Sequence, residues 1–290
     1  YTRMESSAAS DVYKRQVPYR ADYSCNWLQV LDAILDPIHT SFLHSRMSRA
    51  QFSEGMGEIG ELLFYEREMS FLGANVRRVD DNVWVRVNEL VLPNYTQAGA
   101  AFSADGTKPI YYGRTAFSRW VVPLDDENTT AFAWAIFGER ADPHEYNTPE
   151  GPELIEQGER MDRSYAERQR FPGDAEAVEG MGAIADQKME HLVPSDKAII
   201  LYRKKLRKLC RDLEAGVKPG HITDIWQNPV PTYGGDTVLR VPADPVDDSS
   251  RLIDTGEKVL QIQFDAETLG GTERDQVVID ALKTLESASR

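Results

Sequence analysis

One stretch near the start of the chain, from Asn26 to His44, constrains the fold more than any other feature. Its apolar side chains recur at steps of three and four residues, the spacing of one helix face: Leu28, Leu31, Leu35, Ile38 and Phe42. Asp32, Asp36 and His39 each follow a member of this stripe by one residue, so they form a polar line along its edge. The stretch therefore predicts a helix that packs on a core and borders a cleft.

The two histidines of this stretch do not fit one regular helix. His39 and His44 are five residues apart, which rotates them by about 140° around a helix of ~3.6 residues per turn. Pro37 removes a backbone donor and clashes with the carbonyl four residues earlier. We expect a kink or a π-bulge between Asp36 and His44, which would allow both imidazoles to reach one metal ion.

Read as N-W-x4-D-x3-D-x2-H-x4-H, the stretch resembles the mononuclear-iron segment of Rieske-type aromatic ring-hydroxylating oxygenases. The phthalate dioxygenase and dicamba monooxygenase-like branch is the most similar. The resemblance implies an α+β fold of the helix-grip (START-like) type, in which an antiparallel sheet wraps against long helices and encloses a substrate pocket. It also implies a mononuclear Fe(II) site at which His39 and His44 are two of three protein ligands, an arrangement that leaves positions open for O2.

The third ligand is expected on a downstream segment. Residues 171–184 resemble the family's pattern of an acidic residue, an apolar pair and then Met-Gly-x-Ile, and this resemblance assigns Asp174 as the carboxylate ligand. An alternative is that Asp174 caps a helix N-terminus, since Asp is favoured there. Glu176, Glu179 and Asp186 are the other candidate ligands.

The resemblance gives Asp36 a separate role. It implies that Asp36 hydrogen-bonds His39 and links it to a cluster histidine of a neighbouring subunit, and a carboxylate there would fix the imidazole tautomer. A solvated acid, or a helix cap before Pro37, is the alternative.

The chain has too few ligands for the family's second cofactor. A 2Fe-2S Rieske cluster needs two cysteines and two histidines, whereas this chain has only Cys25 and Cys210 and no histidine before His39. The cluster is therefore expected in an intact protein and not in this chain.

Residues 11–16 look like the translation of a sequencing-library transposon end, so we expect residues 1–16 to be non-native. The catalytic domain is expected at 17–216 and a C-terminal extension at 217–290.

Composition limits the partners. The formal net charge is −14, from 33 basic and 47 acidic residues, which argues against nucleic acid because phosphate contacts need clustered Lys and Arg. No apolar run approaches the ~18 residues of a membrane span, and two isolated cysteines favour a reducing cytoplasm. The resemblance implies an aromatic substrate, O2, a reductase or ferredoxin as electron donor, and a head-to-tail homotrimer. The alternatives are a helix-grip binding module without redox chemistry and a zinc hydrolase.

The rest of the chain predicts a sheet followed by helices. Alternation predicts strands at 62–68, 82–88, 111–122 and 130–137, with a loop at 94–108. Helices are expected at 174–188, 195–213 and, shorter, 275–285. Six strand aromatics could line a pocket, although core positions are the usual role of such residues: Trp84, Phe117, Trp120, Phe132, Trp134 and Phe137. Three strand arginines could meet a substrate carboxylate or lie on an exposed face: Arg86, Arg114 and Arg119.

Overall fold

The computed structural model describes residues 15–44, 54–99, 105–115, 117–137, 164–218 and 230–289. These residues form one antiparallel sheet of nine strands. The strands are β1 (Arg15–Tyr23), β2 (Glu61–Glu66), β3 (Ser70–Val79), β4 (Asn82–Val91), β5 (Tyr95–Ala98), β6 (Ile110–Arg114), β7 (Phe117–Pro123), β8 (Thr129–Phe137) and β9 (Gly235–Arg240). Their order is β1-β8-β7-β5-β4-β3-β2, and β9 pairs with β4 and β6.

Helices cover both faces of this sheet, which confirms the predicted α+β class with an antiparallel sheet. They are α1 (Trp27–Leu35), α2 (His39–Phe42), α3 (Tyr165–Arg170), α4 (Asp174–Glu179), α5 (Lys197–Glu214), α6 (Asp248–Asp265) and α7 (Gly271–Ala288). One apolar cluster joins α1, α4 and α5 to one face of the sheet. A second cluster joins α6 and α7 to the other face. None of the described helices has the length and apolar character needed to cross a membrane.

Strand β4 is buried along its whole length because helices pack on both of its faces. Val83, Val85 and Val87 point into the cluster beneath α6 and α7. Trp84 and Arg86 alternate with them, so they point to the face that carries α1. The side chains of Trp84 and Arg86 therefore lie on the same face of the sheet as the helix of the 26–44 stretch.

The structure departs from the sequence expectations in the connections and in the C-terminal part. The predicted loop 94–108 contains β5, and the helix predicted at 174–188 ends at Glu179. Strand β9 and helix α6 were not predicted, and together with α7 they bring residues beyond 216 into the sheet and its core. Residues 1–14 lie outside the described residues, while Arg15 and Gln16 pair with β8.

Truncation of a side chain under α6 tests how strongly the C-terminal helices stabilise the sheet. Leu260 is fully buried in the cluster that α6 and α7 form with the sheet. We expect Leu260→Ala to lower the free energy of unfolding by about 2–5 kcal/mol, because it leaves a cavity in addition to the lost apolar burial. Chemical denaturation measures this, with Val246→Ala as the control at a side chain 92% exposed. Equal stability of the two variants would contradict the prediction.

Candidate metal centre

The helix of the 26–44 stretch is interrupted between Leu35 and His39. Helix α1 ends at Leu35, and Asp36 has φ −91° and ψ 101°, an extended conformation that the following Pro37 favours. Helix α2 begins at His39, and a π-helical turn follows at Leu43 and His44. The predicted distortion between Asp36 and His44 is therefore confirmed.

The break brings the imidazoles of His39 and His44 to the same side, where they meet Asp174 at the first residue of α4. One ligand atom from each residue lies within 4.8 Å of the other two. Asp174 Oδ1 lies 3.0 Å from His44 Nε2 and 3.7 Å from His39 Nε2. His44 is buried, whereas the side chains of His39 and Asp174 are 19% and 22% exposed. The cluster is thus closed on the His44 side and partly open on the other.

Hydrogen bonding shows which atoms of this cluster remain available. His39 Nδ1 donates to the backbone carbonyl of Asp36, so this ring places its proton on Nδ1 and a lone pair on Nε2. That lone pair faces Asp174 Oδ1, a buried oxygen that also lies 3.0 Å from His44 Nε2. Two acceptors facing each other in a buried place repel, and a shared cation would remove the repulsion. The donor set therefore fits a divalent metal ion.

Electrostatics favour the metal-binding protonation states. Burial lowers the pKa of His39, although the Asp174 carboxylate raises it. Burial alone would raise the pKa of Asp174, but His44, His39 and Arg119 outweigh this and hold that pKa well below its usual range. At neutral pH the cluster thus contains a neutral His39 imidazole and an ionised Asp174 carboxylate, both able to ligate.

The structure assigns the alternative acids to other contacts. Gly173 is the N-cap of α4, so Asp174 is not the capping residue. Glu176 and Glu179 both pair with Arg168, at 2.7 and 2.5 Å. Asp186 accepts from the backbone N–H of Lys188 at 3.0 Å. Among the candidate acids, Asp174 is the one that meets the two imidazoles.

Asp36 contacts His39 in a different way from the one expected. Its backbone carbonyl accepts from His39 Nδ1, whereas its carboxylate accepts from the backbone N–H of Ile38 at 2.8 Å. The expected hydrogen bond between His39 and Asp36 is thus present through the backbone carbonyl, and the role of the Asp36 carboxylate stays a prediction.

Some of the strand arginines and aromatics differ from expectation. Arg86 is not on an exposed strand face, since it is buried and its Nη2 donates to Gly99 O at 3.0 Å. Arg119 is half-buried and acts on Asp174, and the Arg114 side chain lies outside the described part. Of the aromatics, Trp84 is in the core as expected. Three others are exposed instead, on the sheet face that points away from α1: Trp120, Phe132 and Trp134.

Several known oxygenases are similar to this chain in sequence or in fold. No family model matches the chain. The oxygenase subunit of tert-butanol monooxygenase / tert-amyl alcohol desaturase from Aquincola tertiaricarbonis is 30% identical over 94% of this chain and 62% of its own length. Phenoxybenzoate dioxygenase subunit alpha from Ectopseudomonas oleovorans is 29% identical over 74% of this chain and 48% of its own length. The structure of dicamba monooxygenase bound to dicamba has a TM-score of 0.48, with 13% identity over 70% of this chain and 60% of that one.

The relatives define the class of protein. The chain is related to the oxygenase subunits of Rieske non-haem iron oxygenases, which are oxidoreductases, as the resemblance predicted. Within that class, the chain spans between about half and two thirds of the length of the relatives it matches. Its α+β fold and its two-histidine, one-carboxylate cluster are those expected of their catalytic domain.

Proposed function

We propose that this chain is the catalytic domain of a Rieske non-haem iron oxygenase, which adds oxygen from O2 to an aromatic substrate. The supporting observation is the convergence of His39, His44 and Asp174, which come from two distant segments and lie within 4.8 Å of one another. A ferrous ion bound by these three side chains would supply open positions for O2 beside the substrate. The phenoxybenzoate dioxygenase name supports an aromatic substrate, and the tert-butanol monooxygenase name extends the range to small alcohols.

Groups of this chain would orient the imidazole ligands of the ion and supply a negative charge to it. The Asp36 carbonyl holds the proton of His39 on Nδ1, so that Nε2 faces the ion. Asp174 supplies the one negative charge among the three ligands. His44 lies on the buried side, which excludes water from that direction, whereas the partly exposed side of His39 is where a substrate would approach.

The intact protein would need further parts. We propose that a 2Fe-2S Rieske cluster outside this chain receives electrons from a reductase or ferredoxin. A head-to-tail homotrimer would bring the cluster of one subunit near the iron of the next, with Asp36 between them. The described cysteines are unpaired, with Cys25 buried and Cys210 exposed, which supports a cytoplasmic location. The division into a non-native 1–16, a catalytic 17–216 and a C-terminal 217–290 also remains a proposal.

Anaerobic titration with Fe(II) tests the proposed function. We expect one ferrous ion per chain, followed by peroxide-dependent oxygenation of an aromatic probe such as benzoate, because peroxide replaces both O2 and the electrons of the missing cluster. Oxygen from labelled peroxide should appear in the product. Absence of iron binding would instead favour a binding module of the same fold, and tight zinc binding with ester hydrolysis would favour a hydrolase.

A further inference from the structure

The buried side chain of Gln29 joins the helix before the histidines to the segment that carries Asp174. Gln29 lies on α1 and is 4% exposed. Its Nε2 donates to the carbonyls of Val178 and Gly182, at 2.9 Å each, and its Oε1 accepts from the N–H of Ala185 at 3.0 Å. Both ends of the amide are thus used on one stretch of backbone.

That stretch depends on hydrogen bonds from other elements, because it has little regular secondary structure of its own. Helix α4 has only six residues, and the chain from 180 to 186 is not helical. The last carbonyls of any helix lack partners within it, and Val178 O is one of these. Gly182 has a φ of +90°, which turns the backbone back toward α1. Gln29 thus satisfies both the open end of α4 and the turn that follows it.

Two backbone groups just before α1 bind the same segment. The N–H of Ser24 donates to Glu179 Oε1 at 2.8 Å, and the N–H of Asn26 donates to the carbonyl of Ala183 at 2.7 Å. Asn26 also caps α1, since its side chain accepts from the N–H of Leu28 at 3.0 Å. The beginning of the 26–44 stretch therefore holds the Asp174 segment, while its end supplies the two imidazoles.

We propose that Gln29 is a positioning residue, which fixes the distance between Asp174 and the imidazoles of His39 and His44 and thereby sets the metal affinity. This inference rests on the proposed function, because it concerns the same ion. Asp174 and Val178 lie one helical turn apart at the two ends of α4, so a displacement of Val178 moves the carboxylate with it. The hydrogen bonds of the Gln29 side chain go to backbone groups that follow Asp174 and not to the three candidate ligands.

Gln29→Met tests the proposal, because methionine keeps the length of the side chain and removes all three hydrogen bonds. Anaerobic titration with Co(II) alone gives both the affinity and the d–d absorption spectrum, which reports the geometry of the site. We expect the affinity to fall at least about tenfold, the lower range for loss of a group that orients a ligand, together with a changed spectrum. Gln263→Met is the matched control, since Gln263 is 3% exposed on α6 across the sheet.

A second control separates positioning from stability. Leu260→Ala is expected to destabilise the fold from the α6 side, so it should lower stability without altering the Co(II) spectrum. Wild-type affinity and spectrum in Gln29→Met would overturn the positioning role while leaving the proposed function intact. Failure of the wild-type protein to bind Co(II) or Fe(II) would overturn both.

Discussion

Replacement of Asp174 by asparagine is expected to lower the affinity for Fe(II) about 100-fold or more, and to abolish peroxide-driven oxygenation. Asparagine keeps the size of the side chain and its place at the start of α4, so the change removes mainly the negative charge. A unit charge at about 2 Å from a cation is worth well over 3 kcal/mol even at an effective dielectric constant of about 20, and about 1.4 kcal/mol corresponds to each factor of ten. Two neutral imidazoles alone would hold the ion weakly.

Asp186→Asn is the matched control for this prediction. It makes the same change on the same downstream segment, at an exposed acid whose carboxylate accepts from a nearby backbone N–H. Anaerobic Fe(II) titration of the two variants and the wild-type protein gives the comparison. If Asp174→Asn binds Fe(II) as tightly as Asp186→Asn does, Asp174 is not a ligand, and the metal centre must be assigned to other groups.

The distortion between the two histidines could be predicted from local sequence because its cause is local, whereas the resemblance assigned His39 and His44 as ligands. The five-residue spacing and Pro37 together exclude a regular helix, and the structure shows an extended Asp36 and a π-helical turn at His44. Asp174 is different. It lies far along the chain, and only the resemblance of residues 171–184 pointed to it, because tertiary packing and not local periodicity brings it to His44.

The groups that hold the site together gave no sequence signal. Gln29 lies one residue after a member of the apolar stripe, and its partners are backbone groups, which every residue possesses.

Alternation predicts that Trp120 and Phe132 lie on strands, but it does not tell which half of a sheet face helices will cover. Helices α6 and α7 cover the half formed by β2, β3, β4, β6 and β9, so the aromatics of β7 and β8 remain exposed.

Loss of the buried Arg203 cation beneath the 26–44 stretch is expected to destabilise the fold about as much as truncation of a buried core side chain does. Arg203 on α5 bonds both carboxylate oxygens of Asp32 on α1, and it also bonds Glu190 at 2.6 and 2.9 Å. The Arg203 and Asp32 side chains are only 11% and 12% exposed. Arg203→Met should lower the free energy of unfolding by about 3 kcal/mol, the lower range for breaking a buried ion pair, because both groups keep some contact with solvent.

The pH dependence of this effect follows from Asp32. Burial raises the pKa of Asp32 to about 6, although the hydrogen bonds from Arg203 lower it, whereas the pKa of an unfolded Asp is about 3.9. The folded state therefore binds the proton more tightly, and the stability that protonation contributes is lost as pH rises through about 6. Without Arg203 this pKa rises further. The cost of Arg203→Met should therefore be full at pH 8 and smaller at pH 5, where Asp32 is neutral.

Denaturation of three variants and the wild-type protein at pH 8 and pH 5 distinguishes a buried ion pair from lost packing. Arg207→Met, an exposed position on the same helix, should change stability by less than about 0.5 kcal/mol. The double variant Asp32→Asn with Arg203→Met should recover most of the stability lost at pH 8, because no carboxylate is left buried beside α1 without a cation. If the double variant is as unstable as Arg203→Met at both pH values, the arginine stabilises the fold through its alkyl packing, and Asp32 tolerates burial without it.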